Sequence, residues 1–344
     1  MKVLITGNQW HDNSPVIAAD GFKNIGHQTE IFYDNPSHWS LVTAKIIDRT
    51  PWKRQSRKLE TLYHKETSRR LLEKVGRYQP HFVFVIAGLR FPGEIIKRIR
   101  EECKIPIANF VVDDPAFCGR ALLRDLGAYS AVFVIDHSWM PVLDFFNPGR
   151  IYYLPHAADR LHFRPLGISK EIDIAFGGTM ALRLPNGPAG YLRAQLLDVL
   201  AEAGFKIRAY APGITETFNE FPALKKIEYY DGYKDHNELN LLYNKARIVL
   251  SIHSPQLKTG ISPRVFDAAL AGSFQLAEFK PDLPSLFPDG VGWFRTKKEL
   301  VELAEFYIKN EAKRESLAKK ALDWALAQHT FLNRATEILE KMNL

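Results

Sequence analysis

ARIVLSIHSPQLKTGISPRVFDAALAGSFQL occupies Ala246–Leu276. Its opening run, Ala246–Ile252, is short and mainly apolar, the pattern of a strand. A polar loop follows and ends at Ser262-Pro263. Serine is a good N-cap and proline suits the first helical position, so a helix is expected over Pro263–Ala271, closed by Gly272. Phe274–Ala277 then reads as a second buried strand. Strand, loop, helix, glycine and strand in that order make a crossover between parallel strands.

The same alternation extends in both directions. Lys2–Thr6, Thr29–Tyr33, His81–Ala87, Ile105–Val112, Ala131–Ile135 and Ile151–Leu154 read as strands, with helices over Pro15–Asn24 and Gly93–Glu102. A second series has strands at Ile172–Phe176 and Phe205–Tyr210 and helices over Ala189–Ala203, Asn237–Asn244, Lys298–Lys309, Glu311–Ala327 and Asn333–Met342. The fold class expected is α/β, with two Rossmann-like doubly wound domains facing across a cleft. The first spans 1–160 and the second 161–328, and a C-terminal helix within 329–344 packs back onto the first. Pro155–Gly167, with two prolines and no periodicity, is the expected interdomain segment. Open α/β sheets bind ligands at their strand carboxyl ends.

A length of 344 residues, 46% hydrophobic and 25% charged, suits two globular domains. No signal peptide or membrane-spanning run is visible. The two cysteines, Cys103 and Cys118, are too few for a disulfide framework, and a cytoplasmic location is expected. The net charge of +7 is concentrated between Lys45 and Arg77, with Lys53, Arg54, Arg57, Lys58, Arg69 and Arg70. Leu59, Leu62, Tyr63, Leu71, Leu72 and Val75 punctuate that run at helical spacing. It reads either as a solvated helix face or as a basic surface for the inner face of a membrane or another anionic partner. Nucleic-acid signatures are missing, so that partner has little support.

Three loops after strands have the chemistry of anion sites. Thr6-Gly7-Asn8 follows the first strand, where a glycine lets a ligand approach the backbone, although GxGxxG is incomplete. Gly177-Gly178-Thr179 is either an anion-binding nest or a plain turn, with Arg183 and Arg193 downstream. In the opening stretch, Arg264 sits in a first helical turn, where the helix dipole disfavours a cation. A phosphate bound at that tip would reverse the penalty. Asp267 is then placed to accept from a ribose hydroxyl. The alternative is a surface pair of Arg264 with Asp267 at i,i+3. Asp113-Asp114-Pro115 offers a general base or a sugar-hydroxyl acceptor, or simply a helix N-cap. Asp136-His137-Ser138 raises the same choice, and His156 is a further candidate at the cleft. No metal is expected, because HxxxH, HExxH, CxxC and DxD are all absent. GxSxG and GxxxxGK[ST] are absent too, which argues against a serine hydrolase or a P-loop enzyme.

PRVFDAALAGSFQLAEF at Pro263–Phe279, LPSLFPDG at Leu283–Gly290, KKELVELAEFYIKNEAKRESLAKKAL and HTFLNRATEIL at His329–Leu339 together resemble the GT-B glycosyltransferases. They resemble in particular the CgeB-like, spore-maturation-type group. LYNKARIVLSIH at Leu242–His253 resembles the strand before that family's donor loop, and LPHAADRLHFRP at Leu154–Pro165 its interdomain segment. The likeness covers about the last 190 residues; in the first half it rests on the strand pattern and the DDP motif.

It implies a metal-independent glycosyltransferase. The second domain would hold a nucleoside diphosphate sugar, a uridine diphosphate sugar first among candidates, and the first domain a hydroxyl-bearing acceptor. Asp267 would take the ribose-contacting place, Arg264 and Lys258 would lie near the diphosphate, and Gly177, Gly178, Thr179, Arg183, Ser254, Thr259 and Ser262 would line the donor pocket. Gly7, Asn8 and His137 fall to the acceptor side, with Asp113, Asp114 and His156 as catalytic candidates. Thr259 stands where retaining members carry a glutamate, so donor sugar and stereochemical course stay open. The remaining alternatives are a nucleotide-sugar epimerase of the same architecture, an enzyme that glycosylates modified DNA, and a non-catalytic two-lobed sugar- or nucleotide-binding protein.

Overall fold

The computed structural model describes residues 1–8, 14–34, 53–87, 91–116, 123–146, 149–182 and 187–344, with side chains omitted for 53–63. The chain divides into two compact units, Met1–Leu154 with Phe331–Leu344, and Pro155–Thr330.

Unit 1 is built on six parallel strands: β1 (Lys2–Gly7), β2 (Gln28–Tyr33), β3 (Phe82–Ile86), β4 (Ile107–Val111), β5 (Ala131–Val134) and β6 (Ile151–Tyr153). Their order is β2-β1-β3-β4-β5-β6. Helix α1 (Ser14–Asn24) packs against α11 (Phe331–Met342), the last helix of the chain. The closeness of that contact requires Gly21, where a Cβ would lie 2.7 Å from the backbone of Phe331. Phe84 meets Phe22 and Phe331 edge to face, and Phe22 meets Phe331 at a tilt, which completes the seam. Helix α2 (Lys53–Tyr78) buries Thr67, Ser68, Leu71 and Val75. Two of its cations are compensated locally: Arg69 pairs with Glu66 and Glu73, and Lys74 with Glu30. The segment expected as one helix over Gly93–Glu102 is α3 (Gly93–Lys97) running into a π-helical turn at Arg98–Glu102.

Unit 2 repeats the plan with β7 (Ile172–Gly177), β8 (Ile207–Tyr210), β9 (Glu228–Tyr230), β10 (Ala246–Ser251), β11 (Gln275–Glu278) and β12 (Gly292–Phe294). All pairings are parallel, in the order β12-β11-β10-β7-β8-β9. Chain order therefore reverses between β7 and β10, which is the topological switch point where such sheets take ligands. Both strands are mainly apolar because helices cover both faces, among them α5 (Gly187–Glu202), α6 (His236–Asn244), α7 (Pro263–Leu270) and α10 (Glu311–Gln328), and their two charged residues, Asp173 and Arg247, pair with each other. Pro155–Gly167, expected between the domains, belongs to this unit. Asn240 Oδ1 accepts from the Arg164 amide at 3.2 Å and Asn244 Oδ1 from the Leu166 amide at 2.8 Å. No helix among the described residues is long and apolar enough to cross a membrane.

Candidate donor site at the switch point of unit 2

Helix α7 starts as its residues dictate. The Ser262 hydroxyl accepts from the Arg264 amide at 3.4 Å and Pro263 occupies the first turn. The Val265 amide turns back to the Ser262 carbonyl at 3.1 Å. Proline has no N–H, so the helix tip presents few open amides, and the Arg264 guanidinium is its main offer to an anion. Gly272, at φ 66°, stops the helix in the left-handed conformation glycine tolerates.

Arg264 opens onto a cavity of about 140 Å³ that it shares with Gly177, Gly178, Thr179, Tyr210, Pro212, Gly232, Tyr233, Lys234 and Leu239. Four of the expected donor residues thus meet in one place. Ser254, Lys258, Thr259, Ser262 and Asp267 do not line it. Ser254 Oγ serves its own loop through the Gln256 amide, and the Thr259 carbonyl accepts from the Asp282 amide at 3.0 Å. Lys258 is exposed, and Arg183 lies outside the described residues.

Two readings of this region change. Gly177 and Gly178 form no anion nest, since neither has a positive φ. The Gly178 amide continues the ladder to the Tyr210 carbonyl at 3.0 Å. Glycine is needed at 177 for room, because a Cβ there would lie 2.6 Å from Leu239 Cδ1. Asp267 is buried with both oxygens engaged. Oδ2 accepts from Arg264 at 2.9 Å and Oδ1 from the Asp159 amide at 3.4 Å. The i,i+3 pair is therefore real but not superficial. Burial raises the Asp267 carboxyl above its ordinary value, against the pull of Arg264.

His253, just beyond β10, fixes the loop that ends at the helix tip. Its Nδ1 faces the Ser262 amide at 3.0 Å and its Nε2 the Glu278 carbonyl at 2.9 Å. An amide can only donate and a carbonyl only accept, so the ring carries its proton on Nε2 and is neutral. Burial lowers its pKa to about 3. Arg193, on α5, donates to the Thr179 carbonyl at 2.9 Å, and burial followed by repulsion from Arg264 brings its pKa down to about 10.

Tyr210, Gly232, Tyr233, Lys234 and Leu239 were not among the expected site residues. They arrive from the ends of β8 and β9 and from the start of α6. The available signal was the GYKD turn before the Asp235 cap, which accepts from the Glu238 amide at 2.9 Å. Lys234 lies 4.3 Å above the Tyr230 ring and pairs with Glu238 at 2.6 Å.

In unit 1, Gly7 ends β1, and a Cβ there would meet Pro15 Cγ at 2.6 Å, so packing accounts for this glycine. Asn8 is partly buried, as is His156, which belongs to unit 2. Asp114 Oδ1 accepts from the Ala116 amide at 2.8 Å, and Asp113 is exposed. His137 stacks on Tyr153 at 3.6 Å, while the buried Asp136 caps the turn by accepting from the Ser138 amide and hydroxyl.

Residues 193–340 match the family described as glycosyl transferase-like, Glyco_trans_1_2. The chain carries a glycosyl transferase-like domain. Among curated proteins none matches it. Solved structures match its whole length. Sucrose-phosphate synthase from Thermosynechococcus elongatus superimposes with a TM-score of 0.69 at 11% identity, over 100% of this chain and 98% of the other. A glycosyltransferase from Rickettsia africae ESF-5 gives 0.64 at 10% identity, over 98% and 97%. Anabaena Alr3699/HepE in complex with UDP-glucose gives 0.63 at 11%, over 99% and 100%. With this domain on this fold, the chain is a glycosyltransferase of GT-B type. In the glycosyltransferase, the cavity at Arg264 lies within the unit that holds most of the matched segment.

Proposed function

We propose that this glycosyltransferase belongs to the CgeB-like group and moves a sugar from a uridine diphosphate sugar to an acceptor hydroxyl, with no metal on the diphosphate. One observation carries the reading: the cavity at the β7–β10 switch point joins the glycine-lined end of β7 to the Arg264 side chain at a helix N-terminus. The Anabaena neighbour, solved with UDP-glucose, supports the choice of donor.

Cleaving the sugar–phosphate bond leaves a diphosphate of growing negative charge. Arg264 supplies a positive charge held in place by Asp267, so little reorganisation is needed as that charge develops. Asp267 is thus assigned to orienting Arg264 rather than to the ribose. Tyr233 and Lys234, partly open on the cavity rim, suit the nucleoside. Asp113 and Asp114 in unit 1 and His156 in unit 2 are the base candidates for an inverting course. In a retaining course the leaving phosphate accepts the proton, and no side chain is needed for it. The compensated pairs of Arg69 and Lys74 give a membrane role for 45–77 less support than a solvated helix face.

The test is a thermal-shift screen of uridine, guanosine, adenosine and thymidine diphosphates. Uridine diphosphate should raise the melting temperature, added Mg²⁺ or Mn²⁺ should leave that rise unchanged, and Arg264→Ala should abolish it. Turnover by Arg264→Ala should fall by about 100-fold or more. No shift with any diphosphate would refute the donor reading, and a rise that requires Mg²⁺ would refute its metal-free form.

A further inference from the structure

Unit 2 contains a second constellation that the transfer reaction does not use. Asp159 lies in the segment after β6, His162 one turn on, and His236 at the first position of α6. Both imidazoles present Nδ1 to the same Asp159 oxygen, Oδ2, each at 2.7 Å. The three ligand atoms lie within 4.8 Å of one another. The rings stand edge to face with centroids 5.6 Å apart, so their nitrogens converge rather than stack. The Asp159 side chain is 2% exposed, and those of His162 and His236 are 26% and 16% exposed. Its other oxygen, Oδ1, accepts from the Leu161 amide at 3.1 Å, an outer contact that fixes the carboxylate plane.

Asp159 donates its amide to Asp267, so two buried carboxylates are adjacent, and Arg264 on Asp267 is the cation paired with them. With neutral imidazoles the group of four ionisable side chains and their arginine has an excess negative charge. A buried excess charge is costly unless a cation meets it. A divalent ion bound by two neutral imidazoles and one carboxylate supplies that charge, and uses ligand types that suit zinc and its neighbours.

We propose that Asp159, His162 and His236 form a binding site for a divalent transition-metal ion, zinc first, that fastens Pro155–Gly167 to the start of α6. Zinc holds nitrogen and carboxylate oxygen at about 2.0–2.2 Å, so the donors must open by about half an ångström to admit the ion, with water completing the shell. The role is structural. Asp159 donates its amide to Asp267, which holds Arg264, and none of the three ligand residues lines the Arg264 cavity. The alternative occupant is a proton shared between an imidazole and Asp159, and the experiment separates the two.

The full chain, freed of any affinity tag, is stripped with chelator and titrated with Zn²⁺ by calorimetry and with Co²⁺ by visible absorption. The expected result is one ion per chain, a higher melting temperature, and d–d bands whose intensity reports a coordination number below six. His162→Ala and His236→Ala should each weaken binding by about 100-fold or more. A milder His162→Gln variant covers the case in which an alanine variant fails to fold. Zinc content of the unstripped protein, grown with zinc and measured by mass spectrometry, should approach one per chain. No saturable binding to the wild-type chain overturns the proposal and leaves the proton as occupant. So does zinc binding that survives loss of both histidines. Neither outcome bears on the uridine diphosphate test.

Discussion

Lowering the pH should weaken unit 2 through His253 in a way that a single substitution removes. The ring is buried, accepts from the Ser262 amide and donates to the Glu278 carbonyl, and its pKa is about 3 against 6.5 for a free histidine. The unfolded chain therefore binds a proton below about pH 6.5 that the folded chain refuses until about pH 3. Stability is fully present above the unfolded value and is lost as the pH falls. Each tenfold difference in proton affinity between the two states is worth about 1.4 kcal/mol, so the loss from this one group should reach about 2 kcal/mol by about pH 5. His253→Gln does not titrate in this range. It forfeits at least one of the two hydrogen bonds, so above neutrality it should be less stable by about 1–3 kcal/mol. The deficit should then shrink steadily as the pH falls to about 5, because only the wild type is penalised. The other histidines act on both proteins and cancel in the difference. Native-state hydrogen exchange of peptides covering 253–262, corrected for intrinsic rates, reads the unit directly without assuming one unfolding transition for two units. A wild-type minus variant difference that is flat between about pH 8 and pH 5 would refute the buried, neutral assignment.

Gly177→Ala should destabilise unit 2 by about 1–3 kcal/mol through overpacking against Leu239 Cδ1, and Leu239→Ala in the same chain should recover part of that loss, measured by urea unfolding of the single and double variants. Gly21→Ala should push α1 from α11 and lower the melting temperature of unit 1, while the uridine diphosphate shift of the remaining protein persists; an unchanged melting profile would mean that α11 does not pack there.

Much of the fold was legible because its signals are local. β3 is an unbroken apolar run, β7 and β10 are apolar but for Asp173 in one and Arg247 and Ser251 in the other, and α7 is bracketed by Ser262-Pro263 and Gly272. What escaped was short or exposed. β9 is three exposed residues at a sheet edge, and β12 is three residues at the opposite edge. Such strands owe their form to the neighbour they pair with, so their own residues carry no period to read.

The candidate site divides the same way. Arg264 was found because a cation in a first helical turn contradicts the helix dipole, a conflict visible in the chain alone. The sequence by itself determined the α/β alternation, the capped helix after β10, and the glycine positions. Only the tertiary structure decided that Asp267 points inward to Arg264 and Asp159, that Gly177 makes room for Leu239, and that His162 meets His236 on one carboxylate oxygen. The last pair is separated by more than seventy residues, from His162 to His236. Spacing along a chain reports neighbours within a turn or a strand. Which buried polar groups must satisfy one another is settled by burial itself, once helices and sheet have closed around them.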